Sequence, residues 1–344
     1  MSKKRNFLLD KTTYLSLKYF TWFCQSTSRN LALAGGSVVG WIFWVLLRLQ
    51  GKRLRMTLEN MGTLYPEKSE DELLRLSRRT TRHFGRFLTD GCRLPLIKRS
   101  TLEENIKFEG LEHYIKAHAQ GKGVILATAH FGHFEVAACS LAAMGYPVWS
   151  IIREVDNPDL DKFMDAARCA PGLGVIKKER AAREVLAHLR SGHTVTVHID
   201  QKASFNHIYV PFFGRMASTF TTPAVMSMRT GAPVLSMLCF RDDATDTYLA
   251  RISPPIEYIP TGDKRADIRQ ITMTLNLILE EAVRQAPEQW FWFHGRWKKQ
   301  PTEDELAEVE REMAIIHSAI GARASQGASA SQGASASQGA SATT

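Results

Sequence analysis

No Cys-x-x-Cys pair occurs in this chain, and its five cysteines (Cys24, Cys92, Cys139, Cys169, Cys239) are odd in number and widely spaced. That excludes a disulfide framework and a cysteine zinc site, and it fits a reducing, cytosol-facing environment for the main body. Walker A and Gly-x-Gly-x-x-Gly sequences are missing, so no nucleotide-cradling loop is predicted. The GGSVVG run around Ser37 has Val39 where a nucleophile elbow needs glycine. Acidic residues are scarce at one end. Residues 1–60 hold ten basic residues against Asp10 and Glu59, which accounts for almost the whole net charge of +9. The rest of the chain is nearly neutral. With no recognised nucleic-acid motif, and with the charge flanking the most apolar stretch, nucleic acid is excluded as the anionic partner in favour of a membrane surface. A hydrophobic share of 44% and a charged share of 23% exclude a wholly disordered chain, a collagen-like fibre and a multi-span membrane protein.

What the N-terminus does have is a charge-free run, Leu31 to Leu47. Its 17 residues would span about 25 Å as a helix, at the short end for a bilayer crossing. Trp22, Trp41 and Trp44 are rings of the kind enriched at membrane interfaces. The run starts too late for a cleaved signal peptide. Residues 1–50 are read as a membrane anchor, a single transmembrane helix or a deeply embedded one. A buried helix of a soluble domain is the competing reading, since Gly35, Gly36 and Gly40 suit close packing.

A helix is predicted from Pro66 to about Asp90, with Arg75, Arg78, Arg79, Arg82 and Arg86 in one stripe. That stripe is either a solvated face or a contact for lipid phosphates or an acidic carrier protein. From residue 123 short apolar strands alternate with helices. Strands are predicted at Gly123–Ala129, Pro147–Ile152, Gly174–Ile176, Thr194–Ile199, Val234–Phe240 and Thr247–Ile252. Helices are predicted at Phe134–Met144, Asp156–Ala170, Arg180–Arg190, from after Gly214 to about Arg229, and at Ile268–Ala286. The pattern is α/β: a mostly parallel central sheet with helices on both faces, which places ligands at the carboxyl ends of its strands. The body is read as residues 51–320, ending in a charged helix after Pro301. The threefold ASQGAS repeat in residues 321–344 has no large apolar side chain and is predicted to be disordered.

His130 ends the apolar strand and Glu135 follows in the next turn, within HFGHFE. Gly132 lets that turn fold the carboxylate back, giving a candidate His–carboxylate dyad that draws a proton from a hydroxyl. His-x4-Glu alone is a weak signal, and a helix-capping His130 with a surface Glu135 would fit the same letters. His133 completes a His-x-x-His, but no third ligand follows at a typical spacing, and no metal is assigned.

In this setting HFGHFE resembles the His-x4-Asp/Glu signature of glycerolipid acyltransferases. The chain is more specifically similar to the late acyltransferases of lipid A biosynthesis, the lauroyl- and myristoyl-transferring family. RLRMTLENMGTLYP (53–66), SIIREVDNPDLDKFM (150–164), HIDQ (198–201), VPFFGRMASTFTTPAVMSMRTGAPV (210–234) and PEQWFWFHGRWKKQP (287–301) resemble the family's blocks in order. The resemblance spans roughly residues 15–300. It departs at Gly295, where the family pattern has a second basic residue beside Arg296.

The resemblance implies an α/β acyltransferase domain on a membrane helix, at the inner membrane with its catalytic domain facing the cytoplasm. The implied reaction moves an acyl chain from a thioester of acyl carrier protein or coenzyme A to a hydroxyl of a lipid A precursor, without a cofactor. His130 would be the base, held by Glu135. Arg168 and the backbone amides of the 131–134 turn, Phe131 and Gly132 among them, would face the oxyanion. Asp200 ends a strand as His130 does, and is expected to orient Arg168 beside the dyad. Arg153 would bind a substrate phosphate, and Phe212, Phe213 and Gly214 would shape the acyl groove, plain core packing being the alternative for the two phenylalanines. Another glycolipid or lysophospholipid acceptor such as a phosphatidylinositol mannoside, a thioesterase, and a non-catalytic lipid-binding protein on the same fold stay open.

Overall fold

The computed structural model describes residues 7–178 and 181–339, with side chains as far as residue 323. Four helices come first: α1 (Phe7–Ser26), α2 (Arg29–Leu49), α3 (Lys52–Leu64) and α4 (Glu70–Cys92). The charge-free run forms most of α2. Among the described residues α2 is the one helix long and apolar enough to cross a membrane, by length and composition. It is also packed. Leu33, Gly36, Gly40, Trp44 and Leu47 recur at three- and four-residue spacing and are buried on one face. The glycines let α2 lie directly on α4: a Cβ on Gly40 would sit 2.5 Å from the Thr81 carbonyl oxygen, and one on Gly85 would fall on the Gly36 carbonyl oxygen. α4 opens in a capping box, in which Ser69 and Glu72 satisfy each other's backbone amides.

The body then runs α5 (Leu102–Asn105), β1 (Ile106–Glu109), α6 (Leu111–His118), β2 (Val124–Thr128), α7 (Phe134–Ala143), β3 (Val148–Ile152), α8 (Pro158–Cys169), β4 (Gly174–Lys177), α9 (Ala181–Arg190) and β5 (Thr194–His198). It continues with β6 (His207–Phe212), β7 (Arg215–Phe220), α10 (Thr222–Thr230), β8 (Val234–Asp242), β9 (Thr247–Ile252), α11 (Lys264–Gln285) and α12 (Glu303–Gly339). Seven strands form one sheet in the order β1-β9-β8-β2-β5-β3-β4. All neighbours are parallel except β8 and β9, which form an antiparallel pair. Apolar clusters line both faces, so the strands read as continuous hydrophobic runs rather than alternating ones. The α/β class with a largely parallel, twice-covered sheet is the one the alternating pattern predicts.

Three segments differ from the sequence reading. The stretch after Gly214 is not all helix: β6 and β7 make a separate antiparallel hairpin, and only Thr222–Thr230 is helical. Phe213 and Gly214 form its two-residue turn, both at positive φ (52° and 71°). Strand β1 and helix α6 precede the first strand read from sequence. The last helix runs beyond Ile320 through most of the repeat tract to Gly339, where the composition predicts disorder; alanine and glutamine are strong helix formers and allow the continuation. Arg180, predicted to start a helix, lies outside the described residues.

Candidate active site

β2 and β5 are neighbours in register, Thr128 beside His198. Both chains leave the sheet at the same edge, so His130 and Asp200 emerge side by side. The Asp200 carboxylate is fully buried and accepts three hydrogen bonds. They come from the His130 ring Nδ1 at 2.9 Å, the His130 backbone N–H at 3.0 Å and the Trp290 indole at 3.0 Å. Burial alone would raise its pKa, but the His130 ring, by charge and by hydrogen bond, together with the His294 and His198 rings, outweighs burial and holds it well below the usual carboxylate range. Asp200 therefore stays ionised and fixes the tautomer of His130: Nδ1 donates to the carboxylate, leaving Nε2 as the acceptor. Nε2 faces outward, 3.3 Å from the amide nitrogen of the exposed Gln201. The ring is partly exposed, at 26%.

The expected His130–Glu135 pairing is not made; the carboxylate joined to His130 is Asp200. Glu135 instead accepts from Arg168 Nε at 2.7 Å. The reason is local. Gly132 adopts a left-handed conformation (φ 54°), and its missing side chain lets it press against the Cys239 carbonyl of β8. The chain then enters α7 at Phe134 with Glu135 in its first turn, aimed at the last turn of α8, where Arg168 stands. Burial would lower the guanidinium pKa, but Glu135 and Asp165 raise it. The expected Asp200–Arg168 contact is likewise replaced by these two separate pairs. The amides of the turn are committed too: Phe131 donates to Ala129 O, Gly132 to Gln289 O and His133 to Cys239 O. Those three do not form an oxyanion hole in this conformation.

The other predicted residues are spread over the edge and the core. Arg153 is exposed just past β3, one strand beyond β5. Phe131 and Phe212 are fully buried in the protein interior. Phe212 stacks with Trp297 and meets Trp290 edge-on, which connects the hairpin to the indole that holds Asp200. Phe213 lies under Arg284, its N–H bonded to Glu280. His133 caps α7: Nδ1 accepts from Val136 N–H and Nε2 donates to Phe87 O. Both its nitrogens are thus engaged, and no group of three potential metal ligands exists among the described residues.

The C-terminal block 287–301 supplies what sequence reasoning left as core aromatics. Its strand-like entry pairs with the turn after β2, with Phe291 N–H on His130 O and Trp290 bridged to Phe131. His294 binds the Asp200 carbonyl at 3.0 Å, while Arg296, fully buried, donates to Gln201 O and Ser218 O. Burial lowers the Arg296 pKa to about 10. His198, at the end of β5, lies 4.5 Å from the His130 ring and is kept neutral by burial, its pKa lowered to about 3. A density of polar and aromatic residues in one short block was the available signal; which atoms they reach was not legible.

An imidazole backed by a buried carboxylate, its acceptor nitrogen turned outward at the carboxyl edge of a parallel sheet, is the arrangement of an enzyme that activates a hydroxyl or water. Residues 7–299 match the family described as bacterial lipid A biosynthesis acyltransferase, and the chain belongs to that family. It is 24% identical over 252 residues to a lipid A biosynthesis palmitoleoyltransferase of Escherichia coli K12, covering 73% of this chain and 80% of the relative. It is 24% identical over 257 residues to a lipid A biosynthesis lauroyltransferase of the same organism, covering 74% and 82%. To a phosphatidylinositol mannoside acyltransferase of Mycolicibacterium smegmatis it is 22% identical over 250 residues, covering 72% and 79%. The chain is an O-acyltransferase.

Proposed function

We propose that this acyltransferase moves a fatty acyl chain from a thioester donor to a hydroxyl of a glycolipid, a lipid A precursor first of all, at the cytoplasmic face of the inner membrane. The observation that carries the reading is the His130–Asp200 pair with Nε2 outward. The acceptor O–H gives its proton to Nε2 as its oxygen attacks the thioester carbonyl. The C–O bond forms and the carbonyl becomes a tetrahedral oxyanion. The C–S bond then breaks, and the departing sulfur takes the proton from the imidazolium. Asp200 stabilises that cation without itself being protonated, and a positioned base of this kind contributes about 10² to 10⁴ in rate.

The donor is acyl carrier protein or coenzyme A, and no cofactor is needed for the proton transfers described. The Glu135–Arg168 pair, set beside His198 around a small cavity of about 20 Å³, supports the reacting edge from behind. Arg153 offers bidentate donors to an acceptor phosphate. In this reading residues 1–50 attach the enzyme to the membrane, 51–320 catalyse, and 321–344 form a tail. A phosphatidylinositol mannoside is the second candidate acceptor, because relatives so named match over a similar span.

The test is mass spectrometry of products after purified protein meets mixed acyl thioesters and lipid A precursor. Acylated glycolipid from the wild type and none from His130→Ala is expected. Free fatty acid alone would assign a thioesterase, and acylation of only the mannoside would move the acceptor.

A further inference from the structure

The N-terminal helices carry a geometry that a single-span anchor does not allow. Both ends of α2 are tied to the same folded body. Before it, α1 touches α8: Asn157 donates to the Asp10 carbonyl at 2.7 Å, and Tyr14 meets Phe163 edge-on at 5.9 Å. After it, α3 holds the C-terminal block through Asn60, which donates to Trp292 O and His294 O. In between, α2 runs antiparallel to α4, from Arg29 at Asp90 through Gly36 and Gly40 at Gly85 and Thr81, and Phe43 of α2 meets Phe293 of the C-terminal block. Carrying α2 across a bilayer would pull α4 and its arginines into hydrocarbon, or part α1 from α8.

The opposite face of α2 is unpartnered and apolar. Leu31, Val38, Ile42 and Leu49 fall on one line and are each about half exposed or more. α1 adds exposed Phe7, Tyr19 and Trp22. Beside this face, between α2 and α4, lies an open groove of about 910 Å³. Trp41 and Ser37 form part of one wall. Lys68, Arg75, Arg78, Arg79, Arg82 and Arg284 also line it, with Glu72 the sole acid, spent on capping α4. Arg78 and Arg82 make no ion pair among the described residues, whereas Arg86 is taken out of the stripe by Asp243 and Asp246.

We propose that α1 and α2 do not span the membrane but seat the enzyme in one leaflet, with the α4 groove binding the phosphates of anionic phospholipid headgroups. An apolar face flanked by cations and an indole is the composition of an interfacial surface. Charge complementarity selects an anionic leaflet, where each cation near the surface adds to retention. On the acyl-transfer reading the placement is useful. Phe43, Phe293 and Phe291 form a continuous row of rings from α2 to His130, so a lipid acceptor at that face lies near the base.

Topology is tested with full-length chains carrying Lys11→Cys or Lys52→Cys on a Cys169→Ser background. A membrane-impermeant maleimide is applied to intact spheroplasts and to inverted membrane vesicles. Both positions are expected to label in the same preparation, and labelling of one in each would overturn the proposal. Because labelling does not depend on acyl transfer, that failure would leave the catalytic reading standing. The groove is tested by vesicle flotation of the wild type and the Arg78→Glu/Arg82→Glu variant, with folding checked by circular dichroism. On vesicles containing phosphatidylglycerol, reversal should weaken binding at least about tenfold, with little change on phosphatidylcholine alone. Unchanged binding would refute a headgroup role. Lost affinity for an acyl carrier protein with vesicle binding intact would assign the groove to an acidic protein, also against the proposal.

Discussion

His130, Asp200 and Trp290 form a chain in which each group holds the next. The indole N–H and the His130 amide fix the carboxylate, and the carboxylate fixes the ring. Removing the ring in His130→Ala should lower kcat by about 10² to 10⁴, with the fold retained. Trp290→Phe keeps the aromatic packing but deletes one hydrogen bond to a buried charge. A bond of that kind is worth about 1.5–3 kcal/mol, so kcat should fall by roughly tenfold or more with KM nearly unchanged, read by steady-state kinetics on protein of native circular dichroism. At this scale the sequence was partly legible. A histidine and an aspartate at the ends of apolar strands were visible as site candidates, because strand ends at one sheet edge face ligands. Their pairing was not visible, and Glu135, five residues from His130, was the nearer carboxylate by sequence alone. The turn geometry at Gly132 sends it to Arg168 instead.

Among the elements, the α2–α4 seam makes the sharpest prediction about packing. Any side chain at Gly85 meets the backbone of Gly36 and Gly40, so Gly85→Val should destabilise by about 1–3 kcal/mol or more through overpacking, seen as a lower thermal midpoint. Gly62 in α3 is a matched contrast, since a Cβ there meets only Leu73 Cδ1 at 3.5 Å. Gly62→Ala should be neutral or stabilise by up to about 1 kcal/mol, by restricting the unfolded chain. Equal loss from both substitutions would contradict the close helix contact. The elements built from local pattern were the legible ones: the apolar runs of β2 and β5, the Asn157-capped start of α8, the long α11. The β6–β7 hairpin was not, because its ladder is a partnership between segments and its short mixed strands have no clear period. The glycines of α2 were noticed as a packing possibility, and their partner helix became evident only in three dimensions.

For the molecule as a whole, buried imidazoles, His83, His133 and His198 foremost, set an acid limit on stability. Burial lowers the pKa of His83 to about 3, of His133 to about 4 and of His198 to about 3. In the unfolded chain they titrate at about 6.5. Between those values the unfolded state binds more protons, so stability falls as pH drops below about 6.5. The loss reaches about 2 kcal/mol per histidine near pH 5. Asp200, whose folded pKa is depressed, adds its own loss only below about pH 4, the unfolded carboxylate range. The urea midpoint should therefore be clearly lower near pH 5 than near pH 7.5, and equal midpoints would contradict this. The order of the sheet is the global fact no stretch of sequence carried: β5 follows β3 and β4 in the chain yet lies beside β2, and only that adjacency joins His130 to Asp200. The most direct measurement of that junction is kcat/KM for Asp200→Asn beside Glu135→Gln, on protein of native circular dichroism. Asp200→Asn should lose about 10² to 10⁴ in activity, because the ring has lost the carboxylate that fixes its tautomer and stabilises the imidazolium, while Glu135→Gln, which breaks only the pair with Arg168, loses far less. A larger loss in Glu135→Gln than in Asp200→Asn would mean that the wrong carboxylate has been assigned to the base.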